Sequence, residues 1–186
     1  MNLVQPIRDR EKLEDLKEEL KKKGLRNYML FLTGSNSGMR VSDVIKLNVN
    51  DVRNKDGTMK SHIIVVEKKT KKVKKFPLCN DLYKEMEIYT KNMKEGEYLF
   101  KSRNGENKPI TTTQAYRIIK RASEKVGLEE IGTHTMRKSF GYHHYQQYKD
   151  VALLQTIYNH SSPSITLKYI GINQDNIDLG YRNFSI

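Results

Sequence analysis

The sequence has little of what marks secreted or membrane proteins. Its 186 residues include one cysteine, Cys79, which excludes an intrachain disulfide and is typical of a reducing compartment. No stretch approaches the roughly 20 consecutive apolar residues that a membrane span requires. Residues 1–6 lack the charged and then apolar pattern of a secretory signal. These absences predict a cytosolic protein that does not bind a membrane.

Acidic residues are outnumbered by basic ones. Lys and Arg number 34 and Asp and Glu number 22, which gives a formal net charge of +12 and a pI of about 9.6. This excess favours a polyanionic partner, with nucleic acid ahead of anionic membrane. A merely soluble basic surface is the plain alternative. Internal repeats and low-complexity linkers are also missing, so we expect a single domain over residues 1–186.

Hydrophobic periodicity predicts a mostly helical fold with one small antiparallel sheet. Apolar residues recur at helical spacing at both ends of the chain, and the period changes to that of strands near the middle. The polar tail, residues 171–186, shows no element. Strands are predicted at residues 62–66 and 73–78, and helices at residues 11–23, 25–35, 41–47, from about 80, at 112–126, 135–148 and 151–158, and from about 162.

Two arginines and a histidine stand in recognisable local settings. Arg40 follows a glycine turn in the segment Asn-Ser-Gly-Met-Arg, where a short helix is predicted to begin. His134 and Arg137 lie three residues apart in the segment Thr-His-Thr-Met-Arg. On a helix, that spacing directs both side chains toward one site.

A second histidine, a tyrosine and a lysine complete the set. His160 follows Arg137 by 23 residues, and Tyr169 follows His160 by nine. In the basic hairpin that is predicted between the two strands, Lys69 stands eight residues before Pro77.

Each of these residues has an ordinary interpretation when it is taken alone. Arg40 could be a surface arginine paired with Asp43, and His134 could simply cap its helix. Tyr169 could be half-buried packing, and the lysine run could be a solvated hairpin with unspecific phosphate affinity. The histidines could suggest zinc, but no thiol or carboxylate completes a ligand pattern, so no metal is expected. The joint occurrence of the residues, in this order, favours a shared function.

Together, the segments around Arg40, around His134 and Arg137, from His160 to Tyr169, and around Lys69 resemble the signature segments of the tyrosine recombinase (phage integrase) family. The resemblance extends from about residue 5 to residue 172. It implies the mostly helical catalytic-domain fold of DNA breaking-rejoining enzymes. It also implies cleavage and rejoining of duplex DNA through a 3′-phosphotyrosine, without a metal or a high-energy cofactor. The site residues that the resemblance implies are Arg40, Lys69, His134, Arg137, His160 and Tyr169.

The resemblance also implies a role for each residue. The Tyr169 phenol attacks a phosphodiester and forms a covalent bond to phosphorus. The two arginines bind the nonbridging oxygens, because guanidinium groups stay charged and can bind two oxygens at once. Lys69 protonates the departing 5′ oxygen, His134 assists proton transfer around the tyrosine, and His160 donates a hydrogen bond to the phosphate.

The chain departs from the family pattern in three places. Asn159 stands where glycine is usual, and asparagine tolerates the left-handed backbone better than other non-glycine residues. Lys138 stands where histidine is frequent. Because lysines crowd the hairpin, Lys71 or Lys72 could be the general acid instead of Lys69.

The resemblance leaves the setting of the activity open. Family members usually carry a further helical domain ahead of the catalytic one, whereas the catalytic-type sequence begins here almost at the first residue. We therefore expect either a naturally core-only protein or a piece of a longer one. A monomer that forms a homo-tetramer on paired DNA sites is expected, at the nucleoid when DNA-bound, with residues 171–186 as the candidate for exchange between protomers. An accessory DNA-binding protein could supply specificity.

Three other functions remain open from the sequence. A type IB topoisomerase would share the tyrosine chemistry, although the short chain and the signature segments favour a recombinase. A non-catalytic DNA-binding accessory protein would not need the complete set of six residues. Generic RNA binding would require only the basic charge.

Overall fold

The computed structural model describes residues 4–66 and 73–184. In this described part, helices dominate and one small antiparallel sheet interrupts them, so the predicted fold class is confirmed. In chain order, the elements are α1 (Arg10–Lys22), α2 (Leu25–Ser37), α3 (Val41–Val44), α4 (Val49–Val52), β1 (His62–Val66), β2 (Val73–Pro77), α5 (Asn80–Thr90), α6 (Thr112–Lys125), α7 (Thr135–Tyr148), α8 (Val151–Tyr158), α9 (Pro163–Ile170) and α10 (Ile172–Arg182).

Helix α2 is the central helix of the fold. Its segment Met29-Leu30-Phe31-Leu32 is buried around the whole circumference, as a helix without a polar face must be. The helix packs against α1, α5, α6 and α7. Gly38 ends it in the left-handed conformation, with φ of 62°. This turn brings Arg40 to the N-cap of α3.

The hairpin of β1 and β2 covers one side of the core. Ile63 pairs with Phe76 and Val65 pairs with Lys74 in the antiparallel register. The side chains of Ile63 and Phe76 are buried in the core. Because side chains alternate between the two faces of a strand, Lys74 lies on the same face as Phe76. Its side chain is therefore directed toward the body of the domain and is half-buried.

The last four helices are short and are delimited by local signals. Asp150 caps α8 by accepting a hydrogen bond of 2.8 Å from the backbone N–H of Leu153. Ser162 caps α9, and Pro163 occupies its first turn, as the sequence predicted. Gly171, in the left-handed conformation with φ of 88°, separates α9 from α10.

The buried apolar residues form two groups of different size. The large core runs from the N-terminal segment through the sheet to the first turn of α7, where Met136 belongs to it. The small cluster lies among α7, α8, α9 and α10, with partly buried aromatic residues around it. Its buried members are Leu154, Tyr158, Ile170 and Ile172.

Two predictions of secondary structure are wrong. The helix predicted at residues 41–47 ends at Val44, because Asn48 starts a new helix with a capping box that involves Asp51. The tail, predicted without an element, forms α10. Its first residue, Ile172, is buried, and Asp175 forms an ion pair of 2.8 Å with Arg8. Within residues 4–66 and 73–184, no helix has the length and apolar character needed to cross a bilayer.

Candidate active site

Five of the six predicted site residues lie around the boundary between the large core and the small cluster. Arg40 stands at the start of α3, and His134 and Arg137 stand at the start of α7. His160 follows α8, and Tyr169 lies in the last turn of α9. The sixth residue, Lys69, and its alternatives Lys71 and Lys72 lie outside the described residues.

Tyr169 contacts both histidines. The Nδ1 atom of His134 lies 3.0 Å from the Tyr169 hydroxyl oxygen. In the tautomer that leaves Nδ1 unprotonated, His134 accepts a hydrogen bond from the phenol. The His160 ring lies edge-on to the Tyr169 ring, with the centroids 5.2 Å apart. His134 occupies the N-cap position of α7, but its side chain makes no capping hydrogen bond, so the capping interpretation is wrong.

The surroundings of Tyr169 have opposing effects on the pKa of its phenol. Burial raises the pKa of Tyr169 above its ordinary value, while the positive charges of Arg137 and Arg40 lower it. The phenol therefore stays protonated at neutral pH, and its ionisation is favoured by two nearby guanidinium groups. A group that accepts this proton is already in hydrogen-bond contact, namely His134.

Arg137 is buried and joins two parts of the fold. Its Nη1 donates to the backbone oxygen of Gly38 at 2.5 Å, and its Nη2 donates to that of Tyr158 at 3.3 Å. The first bond attaches α7 to the turn that precedes Arg40, and the second attaches it to the end of α8. Because two elements hold the guanidinium group, its position depends on tertiary packing.

His160 is oriented by the turn that follows α8. Asn159 adopts the left-handed conformation, with φ of 54°, as predicted. The backbone N–H of His160 donates to the backbone oxygen of Gln155 at 3.1 Å. In the side chain, the Nδ1 atom of His160 lies 3.0 Å from the hydroxyl oxygen of Thr166. Burial lowers the pKa of His160, and nearby positive charges lower it further. His160 is therefore a neutral imidazole at neutral pH.

Three residues of this region were not recognised as part of a site from the sequence. Lys74 donates a hydrogen bond to the backbone oxygen of Ile157 near His160. Lys74 stands two residues before the apolar Phe76 in a predicted strand, and this spacing could have indicated that its side chain lies on the inward face. Tyr158 lies under Arg137, and no local pattern indicated it.

Lys138 had been noted only as a departure from the family pattern. Its Nζ lies 5.2 Å from the centroid of the Tyr169 ring and donates to the backbone oxygen of Val4 at 2.7 Å. Burial lowers the pKa of Lys138, and the charge of Arg8 lowers it further. The N-terminal segment thus contacts the side chain that lies over the tyrosine ring.

A basic groove lies at the other end of α2. It has a volume of about 720 Å³ and is formed by the ends of α1 and α2, the loop before α6, and one face of α6. At 1.5 Å per residue, α2 spans about 18 Å from Arg26 at the groove to Gly38, whose backbone oxygen accepts a hydrogen bond from Arg137. Its cationic residues are Lys23, Arg26, Arg103, Arg117, Arg121 and Lys125.

Comparison with known proteins gives concordant results. Residues 8–175 match the sequence model of the phage integrase family. The chain is 52% identical over 184 residues to the probable integrase/recombinase YoeC of Bacillus subtilis, covering 99% of this chain and 98% of that protein. By contrast, it spans about half the length of the Xer-type tyrosine recombinases that it matches.

Solved structures show the same fold. The crystal structure of XerA recombinase superimposes with a TM-score of 0.75 at 20% identity, covering 100% of this chain and 66% of that one. The post-cleavage complex of XerH site-specific recombinase with its palindromic difH substrate gives a TM-score of 0.67 at 25% identity, covering 87% and 48%. Because the family model matches most of its length and a relative is 52% identical over nearly the whole chain, the chain belongs to the phage integrase family of tyrosine recombinases.

Proposed function

We propose that this chain is a site-specific recombinase that cleaves and rejoins duplex DNA through a 3′-phosphotyrosine at Tyr169, without metal or ATP. The observation that carries the proposal is the contact between the Tyr169 hydroxyl and His134, within the field of Arg137 and Arg40. A phenol with a proton acceptor on one side and guanidinium groups nearby is equipped to attack a phosphodiester.

The proposed reaction replaces the bond between phosphorus and the 5′ oxygen by a bond between phosphorus and the Tyr169 oxygen. The Tyr169 oxygen bonds to phosphorus while its proton moves toward His134. The bond from phosphorus to the 5′ oxygen breaks, and that oxygen takes a proton from a general acid to become a 5′ hydroxyl. Arg40 and Arg137 stabilise the charge on the nonbridging oxygens, and His160 donates a hydrogen bond to the same phosphate. In rejoining, a 5′ hydroxyl attacks phosphorus and the tyrosine oxygen leaves.

Duplex DNA is the proposed partner. The net charge of +12 favours a polyanion, and the XerH structure is described as bound to difH substrate. The basic groove adds a second cationic surface about 18 Å along α2, which corresponds to roughly five base pairs at 3.4 Å each. A duplex bound at both places would be held at the scissile phosphate and again about five base pairs away from it.

The proposed assembly is a tetramer of monomers on two paired sites. The C-terminal part of the chain is the candidate segment for exchange between protomers. Past its buried first residue, α10 exposes large apolar side chains, which favours contact with a neighbouring protomer. The exposed apolar residues of this part are Ile177, Leu179, Tyr181 and Phe184.

The first experiment uses a suicide duplex. Bound duplexes are first selected from a random library, and one is nicked near the candidate site so that the cleaved fragment diffuses away. Wild-type protein and Tyr169→Phe are then incubated with labelled DNA in the presence of EDTA and run on a denaturing gel. We expect a labelled protein–DNA band from the wild type alone. If selected DNA binds without this band, the chain is a binding protein instead.

The departing 5′ oxygen requires a general acid, and we propose Lys69 for this role. Lys74 is the matched alternative, since it comes from the same hairpin and is already directed toward His160. A duplex with sulfur at the 5′ bridging position releases its leaving group without a proton. Loss of the general acid should lower cleavage of ordinary DNA about 100-fold or more and leave cleavage of the sulfur duplex nearly unchanged.

Comparing alanine variants of Lys69, Lys71, Lys72 and Lys74 on both duplexes therefore assigns the role, because rescue by sulfur in one variant alone identifies the general acid. We expect rescue by sulfur in Lys69→Ala, and a loss of similar size on both duplexes in Lys74→Ala. Rescue of Lys74→Ala alone would transfer the assignment to Lys74.

A further inference from the structure

Tyr158, the last residue of α8, is fully buried beneath Arg137. The Arg137 guanidinium carbon lies 4.3 Å from the centroid of the Tyr158 ring. The Tyr158 hydroxyl donates to the backbone oxygen of Arg137 at 2.6 Å, and Arg137 Nη2 donates to the backbone oxygen of Tyr158 at 3.3 Å. Two hydrogen bonds and one cation–π contact thus join these two residues.

On its other side, the Tyr158 hydroxyl packs against the backbone of Gly141. A Cβ atom at position 141 would lie 2.3 Å from that hydroxyl and 2.9 Å from the ring. The ring therefore fits against bare helix backbone one turn after Arg137, and its position is sterically defined. Burial raises the pKa of Tyr158 strongly, so the phenol stays a neutral hydrogen-bond donor.

The same ring contacts two further residues of the site. Its centroid lies 5.5 Å from that of Tyr169 and 5.3 Å from that of His160. Tyr158 is thus a shared aromatic support for the guanidinium group, the proposed nucleophile and the neutral histidine. A purely structural side chain at this depth would need to contact none of them.

We infer that Tyr158 is a positioning residue, whose ring holds the plane of the Arg137 guanidinium group toward the scissile phosphate. The inference rests on the proposed function, because the phosphate is that of the cleaved DNA. A guanidinium group stacks on an aromatic face, and its electrostatic attraction to the ring grows when water is excluded. Without the ring, only the hydrogen bonds to the backbone oxygens of Gly38 and Tyr158 hold the guanidinium group, and its plane can tilt away from the phosphate.

Two variants separate the ring from its hydroxyl and its volume. Tyr158→Phe keeps the aromatic face and removes the hydrogen bond to the Arg137 backbone. Tyr158→Met keeps much of the buried volume with an unbranched, adaptable side chain but has no aromatic face. Thermal unfolding and DNA affinity are measured for both variants, so that cleavage is compared for folded, DNA-bound protein.

The deciding readout uses a duplex with a methylphosphonate at the scissile position, which lacks the negative charge that Arg137 would neutralise. On ordinary DNA, we expect Tyr158→Met to slow single-turnover cleavage about tenfold and Tyr158→Phe to slow it by less. On methylphosphonate DNA, the ratio of the wild-type cleavage rate to that of Tyr158→Met should fall toward one. The same ratio should fall for Arg137→Ala.

The outcomes distinguish this inference from the proposed function. If wild-type protein forms no covalent complex on bound DNA, the proposed function fails. If the wild type cleaves and Tyr158→Met loses equally on both duplexes, or loses nothing, Tyr158 does not act through Arg137. Should Tyr158→Met fail to fold, Tyr158→Leu decides by the same comparison, because it also lacks an aromatic face and its deficit must shrink on methylphosphonate DNA for the inference to stand.

Discussion

The large core and the small cluster differ in what their residues do. In the large core, aliphatic and aromatic side chains such as Leu30 and Phe31 pack around α2, and none of the contacts described above for Tyr169 comes from these two residues. In the small cluster, Tyr158 is itself a neighbour of the site, and Tyr169 packs against its edge. A change in the large core should therefore alter mainly stability, whereas a change in the small cluster should alter stability and cleavage together.

Helix α7 connects the two regions. Met136 belongs to the large core, while Phe140, one turn later, packs against the small cluster. Arg137 lies between these two residues in sequence and is bonded to the turn after α2 and to the end of α8. The position of the guanidinium group therefore depends on the packing of both regions. Burial fixes the orientation of a group that is proposed to bind phosphate.

Two helical glycines offer the largest test of this comparison. In Gly141→Ala, the new methyl group would lie 2.3 Å from the Tyr158 hydroxyl and 2.7 Å from Ile170. Because both neighbours are buried and packed, we expect a loss of about 1–3 kcal/mol in the free energy of unfolding. Cleavage by the folded protein should fall as well, since Tyr158 must move.

The matched control is Gly34→Ala in the large core. There the new methyl group meets the thioether of Met136, with the sulfur at 2.7 Å. Methionine is flexible, and alanine is favoured over glycine in a helix by up to about 1 kcal/mol, so we expect a change near zero. Denaturant unfolding and single-turnover cleavage measure both variants. Equal losses in the two, with cleavage unaffected in Gly141→Ala, would contradict the comparison.

Acid should weaken the C-terminal region by a smaller amount. The pKa values of His143, His144 and His160 are lowered mainly by burial, and all three lie in α7 or after α8. Because each folded pKa is below the unfolded value of about 6.5, the unfolded chain takes up protons first. The stability that these residues contribute is present above about pH 6.5 and is lost as the pH falls toward their folded pKa values.

His144 allows this pH dependence to be assigned. Its ring packs against Phe140 and Tyr148, with centroids 5.6 Å and 4.7 Å apart. His144→Phe keeps an aromatic ring at this place and cannot be protonated. We expect its thermal midpoint to fall less than that of the wild type between pH 7.5 and pH 5. An unchanged pH dependence would place the acid sensitivity elsewhere.

The sequence by itself determined most element bounds and the list of candidate site residues. The strand His62–Val66 and the helices Thr135–Tyr148 and Val151–Tyr158 were predicted as they are observed, because hydrophobic period and caps act over a few neighbouring residues. The left-handed conformation of Asn159 was anticipated from the family pattern, because glycine is usual at this position and asparagine tolerates the same conformation.

The tertiary structure alone decided which residues surround the predicted ones. Lys74 reaches the site through its hydrogen bond to Ile157 in α8, and Tyr158 reaches it because α8 packs against α7. The polar tail forms α10 where Ile172 is buried and Asp175 pairs with Arg8. These contacts join residues far apart in the chain, as in the separation of 21 between Tyr158 and Arg137. No local pattern encodes them, because they depend on how whole elements are packed against each other.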